Sequence, residues 1–374
     1  MPGGHFRQRT GDAAGENAMD FGQFNLMGYR APGTPAHRLY DEAVAQVRAA
    51  EAGGFNIAWF AEHHFSNYCV CPSPLMMVAR MAGQTTRIKL GSGVVVVPLY
   101  NPARLIAEIG MADAMTHGRS VLGVGSGYQP YEFERFGEDL AEAPAKLLEF
   151  LEMLDLAFGA ETFRYEGRHF RMPETHIAPR PVGAPPPVWV AGDHPALHRM
   201  AARRGCTVMV TPRHFTPAML EAARGKLEEA YRAEGVPASR LRLGVLRHVC
   251  VTDDRAEAAA FLDDVRHQIR LSQSLRRREQ AMQGAMLVER PWDGEMSLDA
   301  MAAHMLVGDP AAIAERMAEE IRRAAPCHYL LQFQAGGSSL ATALRSIERF
   351  AAEVRPFLER EVGPLERIGL AEAA

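Results

Sequence analysis

Residues 88–118 read IKLGSGVVVVPLYNPARLIAEIGMADAMTHG, and this one run contains the unit from which the fold follows. Its first ten residues are mostly apolar, five of them β-branched, the composition of a strand. Asn101-Pro102 then sets a capping side chain before a proline fixed at the helical φ, which marks a helix start. Gly118 stands where a left-handed residue closes such a helix.

The same unit repeats on both sides. FGQFNLM, FNIAWF, SVLGVGSG, PVWVAG, CTVMV, RLGVLRHVCV and CHYLLQF bring the strand-like runs to eight. Thr34-Pro35, Ser73-Pro74, Thr216-Pro217 and Asp309-Pro310 repeat the helix-start signal, and Gly53, Gly159, Gly205 and Gly235 repeat the end. Strict strand–helix alternation means a parallel sheet, and eight units close most simply into a single (β/α)8 TIM barrel. An open doubly wound sheet would bind its nucleotide at the first turn, where Gly28 to Gly33 carry no phosphate fingerprint. Two segments exceed the repeat. Residues 163–187 carry the turn signals of a small hairpin, and residues 267–304, with Arg276-Arg277-Arg278 and Trp292, form an insertion before the last unit with the length of a lid. The expected division is a disordered extension over 1–18, the barrel over 19–362 with its lid at about 267–304, and a tail over 363–374.

A hydrophobic fraction of 47% lets 374 residues bury a large core. The net charge of -4 argues against nucleic acid or an anionic membrane as partner, leaving small molecules. No apolar run is long enough for a span or a secretory leader, so a cytoplasmic location is expected. Five cysteines, an odd number, should be reduced thiols. Cys69-Val70-Cys71 lacks the second pair that a tetrahedral metal site needs, and no metal is expected.

Three clusters could carry chemistry. Glu62-His63-His64 follows the strand FNIAWF, where the βα loops of a barrel build its active face. His63-His64 lacks the i, i+4 spacing of a helical metal pair, and the bland alternative is one packed and one solvated histidine. Gly91 and Gly93 interrupt a β-branched strand, which either packing or a flat ligand lying on the backbone explains. Gly125-Ser126-Gly127-Tyr128 after the fourth strand, and Gly192-Asp193-His194 at the helix start after the fifth, offer backbone N–H groups and a hydroxyl to an anion.

At these residues the chain resembles the luciferase-like flavin monooxygenases, the family of the bacterial luciferase alpha subunit. AEHHF, GSGVVVVPLYNPAR, DAMTHGRSVLGVGSGYQPYEFERFG, VGDPAAIAERMAEEI and SLATALRSIERFAAEVRPFL carry the similarity, which spans residues 19–361 and is weakest over 267–304. The resemblance implies a flavoprotein oxidoreductase that takes reduced FMN and O2, forms a flavin C4a-hydroperoxide and oxygenates a small organic substrate such as an aldehyde, ketone or natural-product intermediate. It implies a separate flavin reductase and a homodimer built on the helices within residues 73–84 and 102–117. His63 matches the family's catalytic histidine, with Glu62 and His64 beside it, and Gly93-Val94 matches a non-proline cis peptide next to the flavin ring. Ser126 stands where the luciferase alpha subunit has a phosphate-binding arginine, and His194 where it has a serine. The luciferase beta subunit has asparagine in place of His63, so the histidine here favours a catalytic chain over a flavin-binding partner subunit. A deazaflavin (F420)-dependent hydride-transfer enzyme would share the fold and use no oxygen.

Overall fold

A computed structural model describes residues 19–211 and 216–368. The expected extension over 1–18 and the end of the expected tail, 369–374, lie outside the described residues. All eight strand-like runs become strands: β1 (Asp20–Asn25), β2 (Ile57–Phe60), β3 (Lys89–Ser92), β4 (Ser120–Gly125), β5 (Val188–Ala191), β6 (Thr207–Val210), β7 (Leu243–Val251) and β8 (His328–Gln332). Each pairs in parallel with the next, and the ring closes where β8 meets β1, His328 opposite Asp20. The fold is therefore the expected TIM barrel.

Helices α1 (Ala36–Ala52), α2 (Pro74–Ala82), α3 (Pro102–Met115), α4 (Pro130–Phe136), α5 (Ala143–Gly159), α6 (Pro195–Arg204), α7 (Pro217–Ala233), α8 (Arg255–Ser274), α9 (Leu298–His304), α10 (Pro310–Ala324), α11 (Leu340–Arg349) and α12 (Arg355–Val362) accompany the barrel. Ser73, Asn101, Thr216 and Asp309 each accept a first-turn N–H, as capping requires. Thr34 does not. Helix α1 starts one residue later, Pro35 occupies the cap, and the Thr34 hydroxyl donates to the Ala31 carbonyl instead. Among the expected helix ends, Gly118, Gly205 and Gly235 are left-handed, Gly54 takes that role in place of Gly53, and Gly159 is still helical.

The hairpin expected within 163–187 comprises Phe163–Glu166 and Arg171–Thr175, anchored by Glu149 of α5, whose carboxylate accepts from the backbone of Arg168, His169 and Phe170. The tail boundary is later than expected. Leu365 is buried, and its carbonyl accepts from Met19 N just before the start of β1.

Inside the barrel, Trp59 of β2 lies against Trp189 of β5, ring centroids 4.8 Å apart, and its indole N–H donates to His328 Nε2 at 3.0 Å. The other imidazole nitrogen faces Asp20. With Nε2 accepting, Nδ1 carries the only proton, and burial pushes the imidazole down to about 3. A Cβ on Gly91 would sit 2.5 Å from the Trp59 ring. The flat ring that Gly91 admits is thus the protein's own indole.

Candidate active site

Strand β2 ends at Phe60, and residues 61–65 stand on the C-terminal rim. Successive side chains of an extended chain point to opposite sides, so Glu62 and His64 share one direction and His63 takes the other. Glu62 and His64 are buried and bonded to each other, Nε2 to Oε1 at 3.0 Å. The second Glu62 oxygen accepts from Val96 N and Tyr100 OH, both at 3.0 Å. Burial pushes the Glu62 carboxyl above its ordinary range, opposed by the His64 hydrogen bond. This pair ties the rim of β2 to the chain leaving β3.

His63 faces the barrel mouth with 13% of its side chain exposed. Its Nδ1 lies 3.2 Å from Glu132 Oε1 and 2.9 Å from Gln129 Nε2, both at the start of α4. The same Glu132 oxygen accepts from His64 N at 2.7 Å. A bare Nδ1 lone pair against a carboxylate oxygen would repel it, so the proton belongs on Nδ1, and Nε2 is the nitrogen left to accept. A half-turn of the Gln129 amide turns its oxygen, otherwise buried without a partner, toward that N–H. Tyr68 and Tyr128 flank the imidazole at centroid distances of 5.0 and 5.6 Å.

The remaining predicted residues lie on the ends of β3, β4 and β5. The Gly93–Val94 peptide is cis, and both residues are half-buried in an otherwise buried stretch. A Cβ on Gly125 would stand 2.7 Å from Val94 Cγ2, and one on Gly127, at φ +78, would meet the Phe133 ring at 2.5 Å. A Cβ on Gly192, at φ +140, would lie 4.0 Å from Ser126 Oγ. These contacts join Gly93, Val94, Gly125, Ser126, Gly127 and Gly192 into one surface, which Tyr128 links to His63. Asp193 and His194 are exposed at its edge, and His194 Nδ1 caps α6 by accepting from Ala196 N at 3.2 Å. The glycines make room for Val94 and Phe133, the Ser126 hydroxyl is a neutral donor at this surface, and the first backbone N–H groups of α6 are taken, Ala196 N by His194 Nδ1 and Leu197 N by the His194 carbonyl.

Residues 275–297 touch the rim at Asn67 and at Tyr128. The irregular segment starts later than the expected 267, because α8 continues to Ser274 to bury Phe261, Leu262, Val265 and Leu271. A short hairpin, Met282–Gln283 with Met286–Leu287, is pinned to the rim: Asn67 N donates to Ala285 O and Asn67 Oδ1 accepts from Leu287 N, each at 2.8 Å. The Arg276 guanidinium lies over the Tyr128 ring, 4.3 Å from its centroid.

Sequence reasoning missed Glu132, Gln129 and Tyr68. Glu132 and Gln129 stand inside the motif GSGYQPYEFERFG, but their contact with His63 spans more than sixty residues. All five cysteines are free and buried, and burial pushes the Cys71 thiol up to about 12. Among the described residues no His, Cys, Asp or Glu cluster could hold a metal, and no helix is long and apolar enough to cross a membrane.

The sequence model of the luciferase-like monooxygenase family matches residues 19–326. The chain belongs to that family. It is accordingly an oxidoreductase. Among the relatives of this luciferase-like protein, uncharacterized protein y4vJ of Sinorhizobium fredii is 38% identical over 93% of this chain and all of its own length. The oxygenase component of flavin-dependent trigonelline monooxygenase from Acinetobacter baylyi is 32% identical over 61% of this chain and 64% of its own. Solved structures share the fold at lower identity. Monooxygenase RslO1 from Streptomyces bottropensis superimposes with a TM-score of 0.78 at 23% identity, covering 90% of this chain and 99% of that one. The oxygenating constituent of 3,6-diketocamphane monooxygenase from Pseudomonas putida, solved with FMN, gives 0.72 at 20% identity over 91% and 98%. An F420-dependent secondary alcohol dehydrogenase gives 0.70 at 16% over 91% and 99%.

Proposed function

We propose that this luciferase-like protein is the oxygenase of a two-component flavin monooxygenase, taking reduced FMN from a separate flavin reductase and using O2 to oxygenate a small organic substrate. The observation that carries the reading is His63: an imidazole at the open end of the barrel, fixed through Nδ1 by Glu132 and free to accept at Nε2, next to a glycine-lined surface. Reduced FMN, when bound, supplies activation of O2. Gly93, Val94, Gly125, Ser126, Gly127, Tyr128, Gly192, Asp193 and His194 would hold it. His63 accepts a proton at Nε2 and returns it, the general acid–base work open to an imidazole whose other nitrogen is held. Glu62 and His64 position it from behind. Residues 275–297 exclude water, which otherwise diverts activated oxygen to hydrogen peroxide.

The name of the Acinetobacter relative supports a partner reductase, and the F420-dependent neighbour marks the competing cofactor. Anaerobic titration with reduced FMN and with reduced deazaflavin, followed by admission of O2, decides between them. Tight deazaflavin binding with no O2 uptake would sink the proposal. We also infer a homodimer through α2 and α3, where Met76, Met111 and Met115 are 73, 53 and 43% exposed, more apolar surface than a helix pair usually leaves to water.

A further inference from the structure

Tyr68 stands beside His63 and also belongs to a line of hydrogen bonds that starts on α8. Its phenol is buried, its ring centroid is 5.0 Å from the imidazole, and its hydroxyl is bonded to Ser272 of α8 and to Tyr128. The Tyr128 hydroxyl lies 3.2 Å from the side-chain amide of Gln129, and the same end of that amide lies 2.9 Å from His63 Nδ1. Ser272, Tyr68, Tyr128, Gln129 and His63 thus form one hydrogen-bonded line.

The protons of this line run one way. The far end of the Gln129 amide is buried without a partner, so only the end shared by Nδ1 and Tyr128 can fix its orientation. Glu132 Oε1, 3.2 Å from Nδ1, keeps a proton there, which makes the shared end the amide oxygen. The Tyr128 hydroxyl then donates to that oxygen. A phenolic proton lies in the plane of its ring and has two directions open to it. The Tyr68 hydroxyl, by donating to the Tyr128 oxygen, occupies one and leaves the proton the other, toward Gln129. Ser272 completes the line by donating to Tyr68. Burial, with Tyr128 alongside, pushes the Tyr68 phenol well above its ordinary value, so it keeps the proton it donates.

We infer that Tyr68 is a positioning residue for His63: acting through Tyr128, its hydroxyl locks the Gln129 amide with oxygen on the Nδ1 proton, so that Nε2 stays the accepting nitrogen. The reaction this serves rests on the proposed oxygenase reading. Tyr68→Phe keeps the ring against the imidazole and removes only the hydroxyl. Ser272→Ala, at the half-buried end of the line, removes its first donor, and Ser272→Thr restores one. Proton NMR on the full-length protein with isotope-labelled histidine and no flavin should show the His63 Nδ1 proton as a slowly exchanging downfield signal, assigned by its absence from His63→Ala. The signal should broaden into solvent exchange in Tyr68→Phe and Ser272→Ala and return in Ser272→Thr. With reduced FMN, O2 and a substrate that wild type oxygenates, loss of one neutral hydrogen bond should slow product formation about fivefold to tenfold. The flavin KM should not change, and Tyr68→Phe should add no loss to His63→Ala. A Tyr68→Phe variant that keeps the wild-type signal and rate overturns the inference. So do losses that follow a lowered thermal midpoint and are absent from Ser272→Ala, which decides alone if Tyr68→Phe does not fold. The expected NMR changes in a protein that takes up no O2 with reduced FMN would sink the oxygenase reading and leave the positioning of His63 standing.

Discussion

Replacing Glu132 by glutamine tests whether His63 depends on the charge of the carboxylate that holds it. The carboxylate is 1% exposed and touches two donors through one oxygen, His64 N at 2.7 Å and His63 Nδ1 at 3.2 Å. Glutamine has the same shape, and because one oxygen position serves both donors, an amide oxygen kept on His64 N stays on His63 Nδ1 as well; what is lost is the negative charge beside the imidazole. His63 would keep its tautomer but meet no compensating charge when it takes a proton at Nε2. Loss of a charged hydrogen bond costs about 1.5–3 kcal/mol, partly offset because no charge is then buried, so the thermal midpoint should drop only modestly. The chemical step should lose far more, about 10²- to 10⁴-fold, the range of general acid–base catalysis. The assay follows product, hydrogen peroxide and O2 uptake together with reduced FMN and a turned-over substrate. Because Glu132 acts through His63, the double variant with His63→Ala should be no worse than His63→Ala alone. Full coupling in Glu132→Gln, or losses that multiply in the double variant, would refute the reasoning.

His63→Ala should remain folded and bind FMN while O2 consumption shifts to hydrogen peroxide release; a lowered midpoint with coupling intact would make His63 structural. Gly91→Ala places a Cβ 2.5 Å from the Trp59 ring, so overpacking should cost about 1–3 kcal/mol in denaturant unfolding, and an unchanged midpoint contradicts the packing account. Met111→Asp should shift light scattering from dimer to monomer at micromolar concentration. Buried His328 and His248 are both pushed down to about 3 by burial, His248 also by neighbouring Arg247. The unfolded chain therefore binds protons at these two sites that the folded chain refuses between about pH 6.5 and 3. Stability should be full above pH 6.5 and fall on acidification, by up to about 1.4 kcal/mol per pH unit for each histidine, and a Trp59-preserving His328→Gln variant should show a shallower fall.

The barrel was legible because each βα unit announces itself locally. A β-branched run, a capping residue before proline and a glycine afterwards all lie within about thirty residues, and the alternation of such units admits few topologies. Local signals failed where another contact, near or far in the chain, took over. Thr34 matches the capping pattern, yet the helix starts beyond it. Gly91 and Gly93 look alike in sequence, but Trp59, 32 positions before Gly91, fills the space of the first. Residues 267–274 look like inserted sequence and are instead the last two turns of α8, which has buried side chains there. The partners of His63 come from the fourth unit, and nothing local in either segment states that they meet.

The direction of each member of Glu62-His63-His64, by contrast, follows from the strand period alone. In an extended segment the first and third side chains must share a side and the second must oppose them. One side faces the barrel mouth and the other the layer between strands and helices, so the triplet cannot supply three groups to one reaction. It supplies either one or two. A Glu–His pair suits the dry side, because each can satisfy the other where water is absent, and the Glu62–His64 bond with its added Val96 and Tyr100 donors meets that requirement. A lone histidine suits the mouth, where its second nitrogen needs no permanent partner. If this division of labour holds, Glu62→Gln should lower the thermal midpoint more than it changes the split between product and peroxide, the reverse of His63→Ala. Equal loss of coupling in both variants, at equal stability, would return Glu62 to the reacting centre.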